Sequence, residues 1–149
     1  MTDARVDVMG TVARFFDAVD GRDWPRVEAA MSAPLHLDYE SFGGGPPAEL
    51  APSAVVQRWR GVLPGFDHTH HQLGNLDVAL TEEGARVRAY VTATHGLDGE
   101  LWVVRGRYEI ELGRAGGAWR ITHLRFLVRD VAGLADLPTR AGSRVAKAG

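Results

Sequence analysis

Ala85-Arg86-Val87-Arg88-Ala89-Tyr90-Val91-Thr92-Ala93-Thr94-His95 is the stretch that decides the fold. Apolar and polar residues alternate through it, the period-two signature of a strand with one face against a core. Val87, Ala89, Val91, Ala93 and His95 share the inward face, while Arg86, Arg88, Thr92 and Thr94 share the other. Leu97-Asp98-Gly99 follows as a hairpin turn. Residues 101–113 then alternate again, with Trp102, Val104, Tyr108, Ile110 and Leu112 on one side. Ala115-Gly116-Gly117 turns the chain into 118–128, and Glu82-Glu83-Gly84 leads back to a strand over 68–80. Four strands joined by short glycine-bearing turns predict an antiparallel meander.

Upstream the period lengthens. In 4–20, Val6, Val8, Met9, Val12, Ala13, Phe15, Phe16 and Val19 fall on one half of a helical wheel, and Gly21 stops the helix. A short second helix starts near Trp24-Pro25, with proline in its first turn, and ends before Ala33-Pro34. Residues 35–42 read as a strand, with Leu35, Leu37 and Tyr39 on one face. The Gly43–Pro47 run is a loop, and 52–63 is a third helix closed by Pro64-Gly65. Helices followed by a meander predict an α+β domain over 1–131. Residues 132–149 are polar and small, and read as a mobile tail.

Composition narrows the function. A chain of 149 residues with 45% hydrophobic and 24% charged residues has the make-up of one globular domain. A net charge of −2 with no basic face argues against nucleic acid and anionic membranes as partners. With no cysteine, disulfides, thiolate metal sites and a cysteine nucleophile are excluded. The first ten residues carry Asp3 and Asp7 and no long apolar run, so they read as neither signal peptide nor membrane span. The cytoplasm is the expected location.

Polar residues on apolar faces are the candidates for chemistry. Asp20 lies at about 320° from Val6, between Met9 and Ala13, where a carboxylate is costly unless it finds a partner. It is either frayed outward beside Gly21 or paired inside. His95 ends an inward row, as a core histidine or a functional one. Tyr39 and Tyr108 point inward, which suits core tyrosines with satisfied hydroxyls as well as site residues. His68 and His70 share one face of their strand, but no third ligand stands at a metal-site spacing. No metal and no cofactor is expected. The glycines at 43–45 lack the lysine and the strand–helix context of a phosphate loop. Polar groups from separate elements converging on an apolar interior are the signature of a small-molecule site.

The order of these residues resembles scytalone dehydratase. Val19-Asp20-Gly21-Arg22-Asp23-Trp24, Leu37-Asp38-Tyr39-Glu40-Ser41-Phe42 and Thr69-His70-His71 carry the likeness. His95 and Gly117-Ala118-Trp119-Arg120 follow at comparable spacing. The similarity covers about residues 10–128 and extends to SnoaL-like proteins of the nuclear transport factor 2-like superfamily. It implies a cone in which helices and a strongly bent, mixed or antiparallel sheet enclose an apolar pocket. By position it makes Asp20 the carboxylate of an Asp–His pair, His71 the base, His95 a second catalytic histidine and Tyr39 a group polarising a carbonyl. Val19 stands where the family has tyrosine, and Gly106 and Tyr108 where it has serine and asparagine. Scytalone itself is therefore not the expected substrate.

The reading that results is a cofactor-independent lyase removing a proton and expelling water from a small cyclic or polyketide-like molecule of secondary metabolism. His71 takes the proton, Asp20 orients it, and His95 and Tyr39 supply hydrogen bonds. Tyr108, Trp59, Phe42 and Phe126 are the expected substrate contacts, and Phe66 and Leu127 the further residues that could seal the pocket. An isomerase, a cyclase or a dehydrohalogenase would use the same pair. A non-catalytic binding or assembly module would need only the pocket. The expected assembly is a homodimer or homotrimer.

Overall fold

The computed structural model describes residues 3–149, so the first two residues of the domain expected over 1–131 lie outside the described residues. Helix α1 (Ala4–Asp20) is capped by the Asp3 carboxylate, which accepts from the Arg5 amide at 2.9 Å. Its buried face is Val8, Val12, Phe15, Phe16, Ala18 and Val19, whereas Val6 is 62% and Met9 41% exposed. The apolar stripe is thus narrower than the wheel suggests. Gly21 caps the helix in right-handed geometry, and the left-handed position falls on Arg22, at φ 58°.

Helix α2 (Trp24–Ala29) begins where proline predicts. Strand β1 (Met31–Asp38) starts four residues earlier than its alternation suggests and stops before Tyr39. The chain then makes a 3₁₀ turn over Glu40–Phe42. Two contacts fasten this turn to the last strand: the Ser41 hydroxyl donates to the Phe126 carbonyl at 2.8 Å and accepts from the Val128 amide at 3.0 Å. A side chain at Gly44 would collide with the Tyr39 Cβ and carbonyl, so glycine lets the loop double back against that residue's backbone.

Strand β2 (Ala48–Leu50) pairs antiparallel with β1, and α3 (Pro52–Arg60) follows. The meander is β3 (His68–Leu80), β4 (Gly84–Leu97), β5 (Glu100–Ala115) and β6 (Ala118–Gly133). Strand β1 runs parallel to β6, which makes a six-stranded mixed sheet in the order β2-β1-β6-β5-β4-β3. The inward face of β4 and β5 (Val87, Val91, Ile110, Leu112) packs on α1 in one continuous core. Bulges interrupt the β5–β6 register at Arg105/Gly106 and Glu111/Leu112, and the β3–β4 register at Gly74/Asp77. Such irregularities bend strands and let a sheet wrap around a helix.

The C-terminal residues depart from the sequence reading. Instead of a mobile tail from Ala132, β6 continues to Gly133 and helix α4 spans Leu137–Ala148. Leu137 and Ala141, four residues apart on one face, are fully buried against Phe66 and Leu97. Arg140 reaches Asp98 at 3.3 Å, and Arg144 reaches Asp67 at 2.8 Å. One leucine and one alanine carry the burial, too few apolar positions to give the segment a visible period. No helix among the described residues is long and apolar enough to cross a membrane.

Candidate active site

The sheet and helices leave a cavity of about 170 Å³ on the concave face, walled by Phe16, Tyr39, Trp59, Trp102, Tyr108 and Phe126 among others. Phe42 also lines it, as do His71 and His95. Larger grooves lie elsewhere, including one of about 640 Å³ on the opposite face of the sheet around Tyr90, Arg105 and Arg107. That groove is charged and open; the smaller cavity is where buried titratable groups meet.

Register explains the meeting. Thr69 pairs with His95 and His71 with Ala93, so the inward face of β3 carries Thr69 and His71 beside the histidine of β4. The last turn of α1 crosses above them. Asp20 Oδ1 lies 2.7 Å from His71 Nδ1, and Oδ2 accepts the His71 backbone N–H, also at 2.7 Å. The Thr69 hydroxyl donates to Oδ1 at 3.1 Å. Side-chain exposure is 18% for Asp20 and 10% for His71. Burial alone would raise the Asp20 carboxyl, but the His71 ring, its charge, its backbone N–H and the Thr69 hydroxyl together hold it below the ordinary 3.8.

An ionised carboxylate only accepts, so Nδ1 carries the proton of neutral His71 and Nε2 keeps a free lone pair. The same logic fixes His95. Its Nδ1 lies 3.1 Å from the Trp102 carbonyl oxygen, which can only accept, so Nε2 is again the bare nitrogen. Desolvation pushes His95 down to about 4, the Trp102 carbonyl opposing it and the His71 charge adding to it. In this neutral tautomer His95 can accept a hydrogen bond at Nε2. The two rings stand 6.2 Å apart, with Phe66 and Trp102 packed on the His95 ring at 4.9 and 4.5 Å.

Donors enter from the other side. The Tyr39 and Tyr108 hydroxyls are 2.9 Å apart. One proton bridges the pair and the second remains available. Burial raises Tyr39 well above 10 and Tyr108 to about 12, so both stay protonated. Phe16 bridges the two halves, its ring 5.3 Å from His71 and 4.9 Å from Tyr108.

Seven of the eight residues singled out from sequence line this cavity, and the eighth, Asp20, stands behind His71. Of the four residues that could seal the pocket, Trp59 and Phe126 line it, while Phe66 backs His95 and Leu127 borders the outer groove. His68 and His70 are exposed. Among the described residues, no three His, Asp or Glu side chains cluster as metal ligands. Sequence reasoning missed Phe16, which looks like any core residue of α1, and Arg22. The Arg22 guanidinium donates to the Asp20 carbonyl and to Thr69 Oγ1, each at 3.0 Å, and to the Leu63 carbonyl at 2.7 Å. Its only sequence signal is its place beside a misplaced carboxylate.

Residues 1–125 match the family model of the SnoaL-like domain. The chain belongs to the SnoaL-like domain family. Solved structures agree with that assignment in fold. Kfla4162 of Kribbella flavida superposes with a TM-score of 0.81 at 23% identity, over 96% of this chain and 97% of that one. A Novosphingobium aromaticivorans protein provisionally named scytalone dehydratase gives 0.73 at 16% identity, over 86% and 85%. The LinA-type3 hexachlorocyclohexane dehydrochlorinase of Novosphingobium barchaimii gives 0.71 at 17%, over 88% and 90%. No curated protein matches the sequence. This SnoaL-like chain has the cone-shaped nuclear transport factor 2-like fold, and α4 lies beyond its matched region.

Proposed function

We propose that this SnoaL-like protein is a cofactor-independent lyase that removes a carbon-bound proton and expels a leaving group, water first among them. The observation that carries the reading is the Asp20–His71 contact at 2.7 Å, which turns a bare imidazole nitrogen toward an apolar cavity. His71 Nε2 takes the proton next to a carbonyl, and Asp20 stabilises the imidazolium that forms. The free hydroxyl of the Tyr39–Tyr108 pair donates to the oxygen on which charge develops. The departing hydroxyl then takes the proton from His71, leaving a carbon–carbon double bond and water. His95 accepts from a hydroxyl of the ligand and orients it. The relatives named as a dehydratase and a dehydrochlorinase bear names of eliminations, which favours this class over isomerisation or cyclisation.

Size limits the substrate. A dry cavity of about 150 Å³ accommodates benzene, so about 170 Å³ suits one substituted ring better than a polycycle. The test needs no true substrate. A single-ring enolisable ketone bound in the cavity should exchange its α-hydrogens in heavy water faster than in buffer alone. His71→Ala should abolish the excess over buffer. A ketone that demonstrably occupies the site yet exchanges no faster than in buffer would remove His71 as base and leave a binding module.

A further inference from the structure

Arg22 occupies a left-handed backbone position, φ 58°, that a non-glycine residue adopts only at a cost. The surroundings show what the position achieves. Nη1 donates to the carbonyl of Asp20 and to Thr69 Oγ1, both at 3.0 Å, and Nη2 donates to the Leu63 and Phe66 carbonyls at 2.7 and 3.4 Å. Every one of these acceptors belongs to the candidate site or its backing. Asp20 and Thr69 hold His71, Leu63 lines the cavity, and Phe66 packs on His95.

A guanidinium has no acceptor, so the Thr69 oxygen must receive its N–H. The Thr69 proton is thereby directed onto Asp20 Oδ1, the same oxygen that holds His71 Nδ1. The guanidinium interacts with the Asp20 charge, and a fixed cation so placed opposes a second positive charge on the imidazole. Without it, the buried carboxylate would favour the protonated ring and blunt the base. The titratable or charged groups around His71 are Asp20 and Arg22 at the end of α1, His95 on β4 and Tyr108 on β5.

We propose that Arg22 is a positioning residue for the Asp20–His71 pair, acting through the Thr69 hydroxyl and through its own charge to keep the base unprotonated. This rests on the reading of His71 as the base, but its test is independent of any substrate. The titration of the His71 ring is followed by NMR on the histidine-labelled full chain, the signal assigned by its loss in His71→Gln. Arg22→Gln removes the charge, and Arg22→Gly removes it while relieving the left-handed backbone. Both should raise the His71 titration midpoint by about half to one pH unit. Arg22→Lys keeps the charge and loses the fork, so it should move the midpoint less than half as far. Thr69→Val, an isosteric change that leaves Arg22 in place, should also raise it by relieving Asp20 of a competing donor.

A plain structural brace predicts the opposite sign. Loosening Asp20 from His71 lowers the midpoint, and an irrelevant arginine leaves it alone; either result overturns the proposal. Should Arg22→Gln fail to fold, the Arg22→Gly and Thr69→Val titrations decide. Midpoints that rise in a protein catalysing no exchange would retain the positioning role and sink the lyase. Static midpoints in a protein whose exchange depends on His71 would do the reverse.

Discussion

Asp20 binds His71 by two atoms, one carboxylate oxygen to the ring and the other to the backbone N–H, with Thr69 sharing the first. Three donors converge, so an amide cannot replace the carboxylate. In Asp20→Asn, the new NH₂ must face at least one N–H or O–H, leaving an unsatisfied buried donor worth about 1–3 kcal/mol. It also allows the wrong tautomer of the ring, so α-hydrogen exchange should fall by about 10²–10⁴-fold, as in His71→Ala. Tyr108→Phe makes a different break. It strands the half-buried Tyr39 hydroxyl, costing about 1 kcal/mol in urea denaturation, and leaves one hydroxyl free to serve the ligand. Exchange should then drop less than in the His71 variant. The sequence points to Asp20, but the wheel argument overstates its burial. Met9 and Ala13, its angular neighbours, are exposed, and Asp20 sits on the edge of the stripe. What buries it is β3 crossing the last turn, a tertiary contact that periodicity does not contain. Arg22 was illegible for the same reason, since all its partners but the Asp20 carbonyl lie more than 40 residues away.

The meander was legible as elements because alternation, glycine turns and hairpin spacing agree with one another. Strand β2 was not, because three residues carry no period. Helix α4 escaped because Leu137 and Ala141 gain meaning only against Phe66 and Leu97. That contact makes α4 testable. Leu137→Ala should cost about 2–5 kcal/mol, read from the denaturation midpoint. Val62, Leu63 and Trp102 touch the α4 cluster and also line the cavity. Ligand affinity should therefore weaken with stability in Leu137→Ala, whereas a large apolar truncation on the far side of the core, Ile121→Ala, should lower stability alone. Gly65 enforces the same seat, since a Cβ there would overlap the Ala141 carbonyl. Gly65→Ala should dislodge α4 and raise protease cleavage of the C-terminal segment.

For the whole molecule, the buried histidine sets an acid limit. His95 falls to about 4 in the fold, against about 6.5 in an unfolded chain. The unfolded chain therefore takes its proton first as pH falls. Stability from this group is complete above about 6.5, is lost between about 6.5 and 4, and changes no further below that. The loss is on the order of 3 kcal/mol. Asp20, held below 3.8, adds a second loss that begins only as pH drops through 3.8. Urea midpoints measured from pH 8 to 3 should show two descents, and His95→Phe should remove the upper one. A single descent below pH 4 would mean that His95 is not buried neutral.

Trp102 and Trp59, two of the four tryptophans, form part of the cavity wall, and the Trp102 ring lies 4.5 Å from that of His95. The protein consequently carries its own optical probe. A ligand that enters displaces water from two indoles and shifts their emission, while Trp24 and Trp119 lie outside the lining and supply a background that ligand entry leaves unchanged. Libraries of small ring compounds can thus be screened by intrinsic fluorescence before any turnover is known, with Trp102→Phe to show which indole reports.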